Sequence, residues 1–116
     1  MKNVTWSAAA SPLATSNPMT ASVNSDQIQV GDPGVLGVFI RLAWTSTPVG
    51  TLTLEASNDG LLWTALDGIS DATGGAAGAA TWAISDMYFQ YLRIVYTRTS
   101  SSGTLTGTYN IKRVRG

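Results

Sequence analysis

In four stretches of this chain large apolar side chains recur at every second position, a period that a pleated strand can use and a helix cannot. Val38, Ile40, Leu42 and Trp44 fall on one face, with Phe39, Arg41, Ala43 and Thr45 on the other. Leu52, Leu54 and Ala56 alternate with Thr51, Thr53 and Glu55. Leu92, Ile94 and Tyr96 share a face opposite Tyr91, Arg93 and Val95. In a last strand from Thr104 to about Val114, Leu105, Tyr109 and Ile111 point inward, and Thr104, Thr106, Thr108, Asn110 and Lys112 point outward. Shorter strands are expected at Ile28 to Val30, at Leu61 to Leu66 and at Thr81 to Ile84.

Turn signals punctuate these runs: Gly31-Asp32-Pro33-Gly34, Thr47-Pro48-Val49-Gly50, Asn58-Asp59-Gly60 and Gly74-Gly75. Ser100 to Gly103 reads as a hairpin loop that would pair the last two strands, and Ser85-Asp86-Met87 as one helical turn or a corner. The segment Asp67 to Ala80 is long enough to cross between sheets. About seven or eight strands separated in this way predict an all-β fold, a two-sheet β-sandwich of jelly-roll or related Greek-key topology. Lys and Glu, which favour surface helices, occur only as Lys2, Lys112 and Glu55. With 116 residues there is room for one domain. Its first part, residues 1–26, is rich in Ser and Thr and reads as an extended N-terminal arm, with a short strand near Val4 to Ala8 and the β-sandwich occupying 27–116. Trp6 favours a docked arm over a free tail, because an isolated tryptophan gains most when something buries it.

The chain has no Cys, and His is absent as well. That removes disulfides, thiol nucleophiles, imidazole metal sites and every Ser-His-Asp arrangement. Six of the seven carboxylates fall at expected turns or loop edges, where Asp bonds its own backbone, so no catalytic acid pair is expected. Asp67 and Asp71, near Asp86, form the one arrangement that suggests a calcium ion; no cofactor is otherwise implied. No apolar run reaches the length of a membrane-crossing helix, and the N-terminus lacks the apolar stretch of a secretory signal.

Seven basic and seven acidic residues cancel, which argues against a general nucleic-acid binder. Their distribution is uneven. Residues 93–116 contain Arg93, Arg98, Lys112, Arg113 and Arg115 and no acid, whereas all seven acids precede them. Such opposed patches suit contacts between copies or docking on an acidic protein surface, and equally a charged edge that guards a sheet against aggregation. Of Trp44, Trp63 and Trp82, at least two are expected in the core. Tyr88, Phe89 and Tyr91 cannot all point inward, so one of them is expected at a surface or interface. The candidate contact residues are therefore Trp6, Tyr88, Phe89, Arg93, Arg98, Lys112, Arg113 and Arg115.

The segment Leu54-Glu55-Ala56-Ser57-Asn58-Asp59-Gly60-Leu61-Leu62-Trp63-Thr64, followed by Tyr91-Leu92-Arg93-Ile94-Val95-Tyr96-Thr97 and Ser102-Gly103-Thr104-Leu105, resembles small β-sandwich structural proteins of tailed bacteriophages. The Ser, Thr, Gly and Ala richness and the extended N-terminus are similar to those of capsid decoration, or cement, proteins. The resemblance implies a non-enzymatic virion protein, made in the host cytoplasm, that binds the major capsid protein on the outer shell as a homo-oligomer, a trimer by preference. A similar hairpin and strand occur in discoidin-like carbohydrate-binding modules, whose terminal cysteines this chain lacks. That second resemblance implies an adhesion module reading a surface glycan.

Overall fold

The computed structural model describes residues 3–6, 10, 17–31, 34–85 and 89–115. Ten strands run in chain order: β1 (Asn3–Trp6), β2 (Asn17–Pro18), β3 (Val23–Asn24), β4 (Ile28–Gln29), β5 (Val35–Ser46), β6 (Val49–Ser57), β7 (Thr64–Ala72), β8 (Gly78–Ile84), β9 (Tyr91–Ser100) and β10 (Gly103–Arg115). No helix occurs among the described residues. One sheet has the order β1-β10-β5-β8, with β2 also on β10; the other has the order β3-β9-β6-β7, with β4 also on β9.

Every strand pairing is antiparallel, and the registers of β1 and β2 on β10, β3 and β4 on β9, β5 on β8 and β6 on β7 share a centre. Asn3 faces Arg115, Ile28 faces Leu92, Val38 faces Ile84 and Ala56 faces Thr64, so each pair lies at nearly equal chain distances from Gly60. The chain is thus one long antiparallel ribbon, reversed at Asn58-Asp59-Gly60 and rolled so that β10 also meets β5 and β9 also meets β6. With β1 and β2 taken as one strand and β3 and β4 as another, this is a jelly roll, the topology that combines two Greek keys.

The alternation in the sequence becomes the core. Ile40, Leu52, Leu54, Leu92 and Tyr96 have no exposed surface, and Val38, Leu42, Ile94 and Leu105 have almost none. Trp44 and Trp82 are buried, each with its indole N–H satisfied: Trp44 Nε1 donates to the Ala76 carbonyl at 2.9 Å and Trp82 Nε1 to Asp71 Oδ2 at 2.7 Å. Among the described residues no buried side-chain polar atom lacks a partner, as a water-free interior requires.

Two expectations are corrected. Ser100 to Gly103 is not a hairpin, because β9 and β10 lie in different sheets. Residues 101–102 step from one sheet to the other, beside the 47–48 step from β5 to β6. Thr47 N donates to the Ser102 carbonyl at 3.3 Å, and the Thr47 and Ser101 hydroxyls are 2.9 Å apart. Gly103 makes the crossing possible, since a Cβ there would collide with the Thr45 carbonyl oxygen and the Pro48 ring. The strand expected over Leu61 to Leu66 starts instead at Thr64 and runs on through Asp67 to Ala72, so the crossing to the other sheet is confined to residues 73–77. Thr73, buried there, ties the crossing down by donating its hydroxyl to the Pro48 carbonyl at 2.8 Å.

Residues from the N-terminal segment lie along one lateral edge of both sheets. β1 and β2 extend along β10, Met19 is fully buried at the crossover, and β3 and β4 extend along β9 with Ile28 fully buried. Residues 7–8 of the expected strand near Val4 to Ala8, the Asp32-Pro33 pair, Asp86-Met87 and Tyr88 lie outside the described residues.

Candidate functional site: a locked loop with an apolar tip

The ribbon reverses in residues 58–63, between β6 and β7. Three sets of contacts hold this loop. Ser57 Oγ, buried at the end of β6, accepts from Gly60 N at 2.9 Å and Asp59 N at 3.2 Å, and donates to Asp59 Oδ1 at 3.0 Å. Asp59 Oδ1 also accepts from Leu61 N at 2.8 Å and Leu62 N at 2.9 Å. Asn58 Oδ1 accepts from Gln90 N at 2.9 Å, joining the loop to the start of β9. Gly60 takes φ +75°, a conformation that L side chains resist.

These bonds favour the ionised form of Asp59. The Leu62 and Leu61 amides, followed by the Ser57 hydroxyl, hold its carboxyl below its ordinary value of 3.8. The exit of the loop is clamped by a charge cluster on the outer face of the β6–β9 sheet. Arg93 NH2 lies 2.7 Å from Glu55 Oε1, Arg93 Nε donates to the same oxygen at 2.8 Å, and the guanidinium stacks 4.4 Å from the centre of the Trp63 ring.

Between entry and exit stand Leu61 and Leu62, 82% and 79% exposed. Single exposed leucines are ordinary, but two adjacent ones at the tip of a loop so constrained form a fixed apolar projection. Beside it lies a concavity of about 440 Å³ whose walls include Ala56, Leu62, Leu66 and Phe89. A second, of about 370 Å³, continues between the β7 and β8 edges and includes Ile69, Ile84 and Asp67 with the same Leu66 and Phe89.

The contact residues expected from sequence distribute as follows. Phe89 is half-buried, packs on the core and lines both concavities. Arg93 is engaged by Glu55 and Trp63, so it acts within the fold. Arg98 is exposed on β9, its Nε donating to the Ser101 carbonyl at 2.8 Å. Lys112 and Arg113 are half-buried on β10, Lys112 opposite Gly37 and Trp6, and Arg113 opposite Val35 and Thr5. The backbones of Trp6 and Arg115 lie in β1 and β10. Because β9 and β10 belong to different sheets, the basic residues do not form one sheet face. They share one lateral side of the molecule.

Asp71 accepts from Trp82 Nε1, and no group of three or more potential metal ligands occurs among the described residues, outside which Asp86 lies. The Leu61–Leu62 tip was not foreseen. Its signal is a Ser-Asn-Asp-Gly run, rich in capping groups, placed immediately before two leucines.

The class that this architecture defines is the jelly-roll sandwich. No family model matches the chain, and no curated protein matches it. Among solved structures it is similar to YomS, a protein derived from the SPBc2 prophage, with a TM-score of 0.62 and 13% identity over 95% of both chains. Weaker likenesses are to an endospore appendage of Bacillus, with a TM-score of 0.45 and 13% identity over 100% of this chain and 88% of that one. Infectious bursal disease virus Gx strain gives a TM-score of 0.48 and 10% identity over 97% of this chain and 33% of that one. At these identities the likeness to YomS is one of fold, and the other two are too distant to argue from.

Proposed function

We propose that this chain is a structural protein of a tailed-phage particle, a decoration protein that adheres to the outer capsid surface and stabilises the shell without catalysis. The observation that carries this reading is the Leu61–Leu62 tip, presented to solvent on a loop locked by Ser57, Asp59, Asn58 and Trp63. Burying two leucines contributes about 3–5 kcal/mol before the losses of association are counted, so one contact is weak. Many such contacts on a repeating lattice add through multivalency. The prophage origin of YomS, whose fold this chain shares, supports the same setting.

A glycan-reading function would ask for exposed aromatic rings at a loop mouth. Among the described residues Trp44 and Trp82 are buried, and Trp63 and Phe89 are half-buried, Trp63 with Arg93 stacked on its ring, so the tip of the loop itself offers aliphatic surface. The test mixes the purified chain with DNA-filled heads of the encoding phage grown without this gene. The chain is expected to cosediment with the heads and raise the temperature at which they release DNA, and Leu61→Ser/Leu62→Ser to lose at least tenfold in binding while remaining folded. Heads whose resistance to heat, chelator and low salt is the same with and without the chain would overturn the proposal.

A further inference from the structure

The two lateral edges of the molecule differ in charge and in protection. No Lys or Arg occurs between Arg41 and Arg93, and no acid follows Asp86. The two stretches meet at the Glu55–Arg93 pair on β6 and β9, and the jelly roll places the rest of their charged strands toward opposite sides. On one side lie β7 and β8 with Asp59, Asp67 and Asp71 and no described cation. On the other lie β9 and β10 with Arg98, Lys112 and Arg113, and Asp26, between β3 and β4, as the one described acid alongside.

β8 is an outer strand, paired with β5 alone among the described strands. Its sequence, Gly-Ala-Ala-Thr-Trp-Ala-Ile, contains none of the charges or prolines that normally blunt an edge. The outer strand on the far side of the same sheet, β1, likewise pairs only with β10. The Leu61–Leu62 tip and the apolar gap between β7 and β8 belong to the acidic side.

From this juxtaposition we infer that copies of the chain associate head-to-tail, the β7–β8 edge of one copy against the opposite side of the next, formed by β1 and β10 in one sheet and β3 and β9 in the other. A two-fold contact through the β7–β8 edge would set Asp67 against Asp67 and acid against acid. A heterologous contact sets acid against base at every junction and closes into a ring when the rotation permits. Asp67 is exposed on β7, and Arg98 is exposed on β9 between Gly50 of β6 and the Ser22 crossover, whose hydroxyl accepts from Arg98 N at 3.0 Å. The inference rests on the reading of the chain as an adhesive particle component, and it identifies the surface through which that component assembles.

Sedimentation velocity of the full chain tests it, at about 50 mM and about 500 mM salt, across the range in which screening removes exposed charge pairs. The wild type is expected to form a closed oligomer of three or more copies at low salt that weakens at high salt. Asp67→Lys and Arg98→Glu should each raise the concentration of half-association about tenfold, and the double variant Asp67→Lys/Arg98→Glu should recover it whatever the number of copies in the ring, because each altered edge then meets its complement on the next copy. A chain that stays monomeric at high concentration, an oligomer unaffected by either variant, a double variant as weak as the single ones, or an Asp67→Lys chain that recovers fully when mixed with wild type would overturn the inference, the last by revealing a two-fold contact through the β7–β8 edge. A monomer that still cosediments with heads overturns the head-to-tail contact alone. An oligomer that ignores heads upholds the contact and overturns the capsid reading.

Discussion

The two lateral edges of this sandwich solve the same problem by different means. On the β9–β10 side, β1 to β4 lie along both sheets, and Met19 and Ile28 go into the core with no exposed surface. On the β7–β8 side no further strand is added among the described residues, and Leu66, Ile69 and Phe89 remain half-buried against the core. A polar tie also links the sheets there, from Trp82 Nε1 on β8 to Asp71 Oδ2 on β7. One edge is closed by apolar burial and the other is pinned and left open, and an open edge is available to a partner.

Truncation separates the two most strongly. Met19→Ala or Ile28→Ala removes a fully buried side chain and leaves a cavity, at a cost of about 2–5 kcal/mol in urea unfolding. Ile69→Ala on the open edge, where the side chain already meets solvent, should cost about 1 kcal/mol. Equal losses at Ile28 and Ile69 would mean that the β7–β8 edge is as closed as the other.

The polar tie comes next. Asp71→Ala leaves the indole N–H of a 7%-exposed tryptophan without its acceptor, a loss of about 1–3 kcal/mol. Asp71→Asn retains a carbonyl oxygen in the same place and should cost under about 1 kcal/mol. If both variants unfold at the same urea concentration, the hydrogen bond is not what pins this edge.

Much of the architecture was legible because alternation is a local property with a global consequence. The inward sets of β5, β6, β9 and β10 follow directly from period two, and the core contains them except Tyr109, which is half-buried against it. Alternation does not say which sheet a strand joins. The short segment after Ser100 has the length of a hairpin turn, yet Ser101 at φ +62° and Gly103 against Thr45 and Pro48 turn the chain across the sandwich instead. Nor did residue type predict exposure at Leu61 and Leu62. Aliphatic character argued for a strand, but Asp59 captures both of their amides, and those amides are then not available to a ladder with β6. The acidic and polar run from Asp67 to Ala72 resembled a loop for the converse reason, since an edge strand facing solvent has little need of apolar residues.

The smallest effect concerns that same loop, and its sign can be worked out. In the folded chain the amides of Leu62 and Leu61 and the Ser57 hydroxyl stabilise the Asp59 carboxylate, so its proton affinity falls below the ordinary value of 3.8. A group depressed by folding contributes its full stabilisation above the unfolded value, and loses it as pH falls through the folded one. The loop should therefore be indifferent to pH at neutrality and loosen only below 3.8. Titration of the Leu61 and Leu62 amide resonances should give midpoints below that value, while Asp59→Asn, which cannot ionise, should abolish the transition and leave the sandwich folded. Midpoints at or above 3.8 would show that the carboxylate does not hold these amides. The apolar tip on the open edge would then be a mobile loop rather than a fixed projection, and the difference between the two edges would reduce to the missing outer strand.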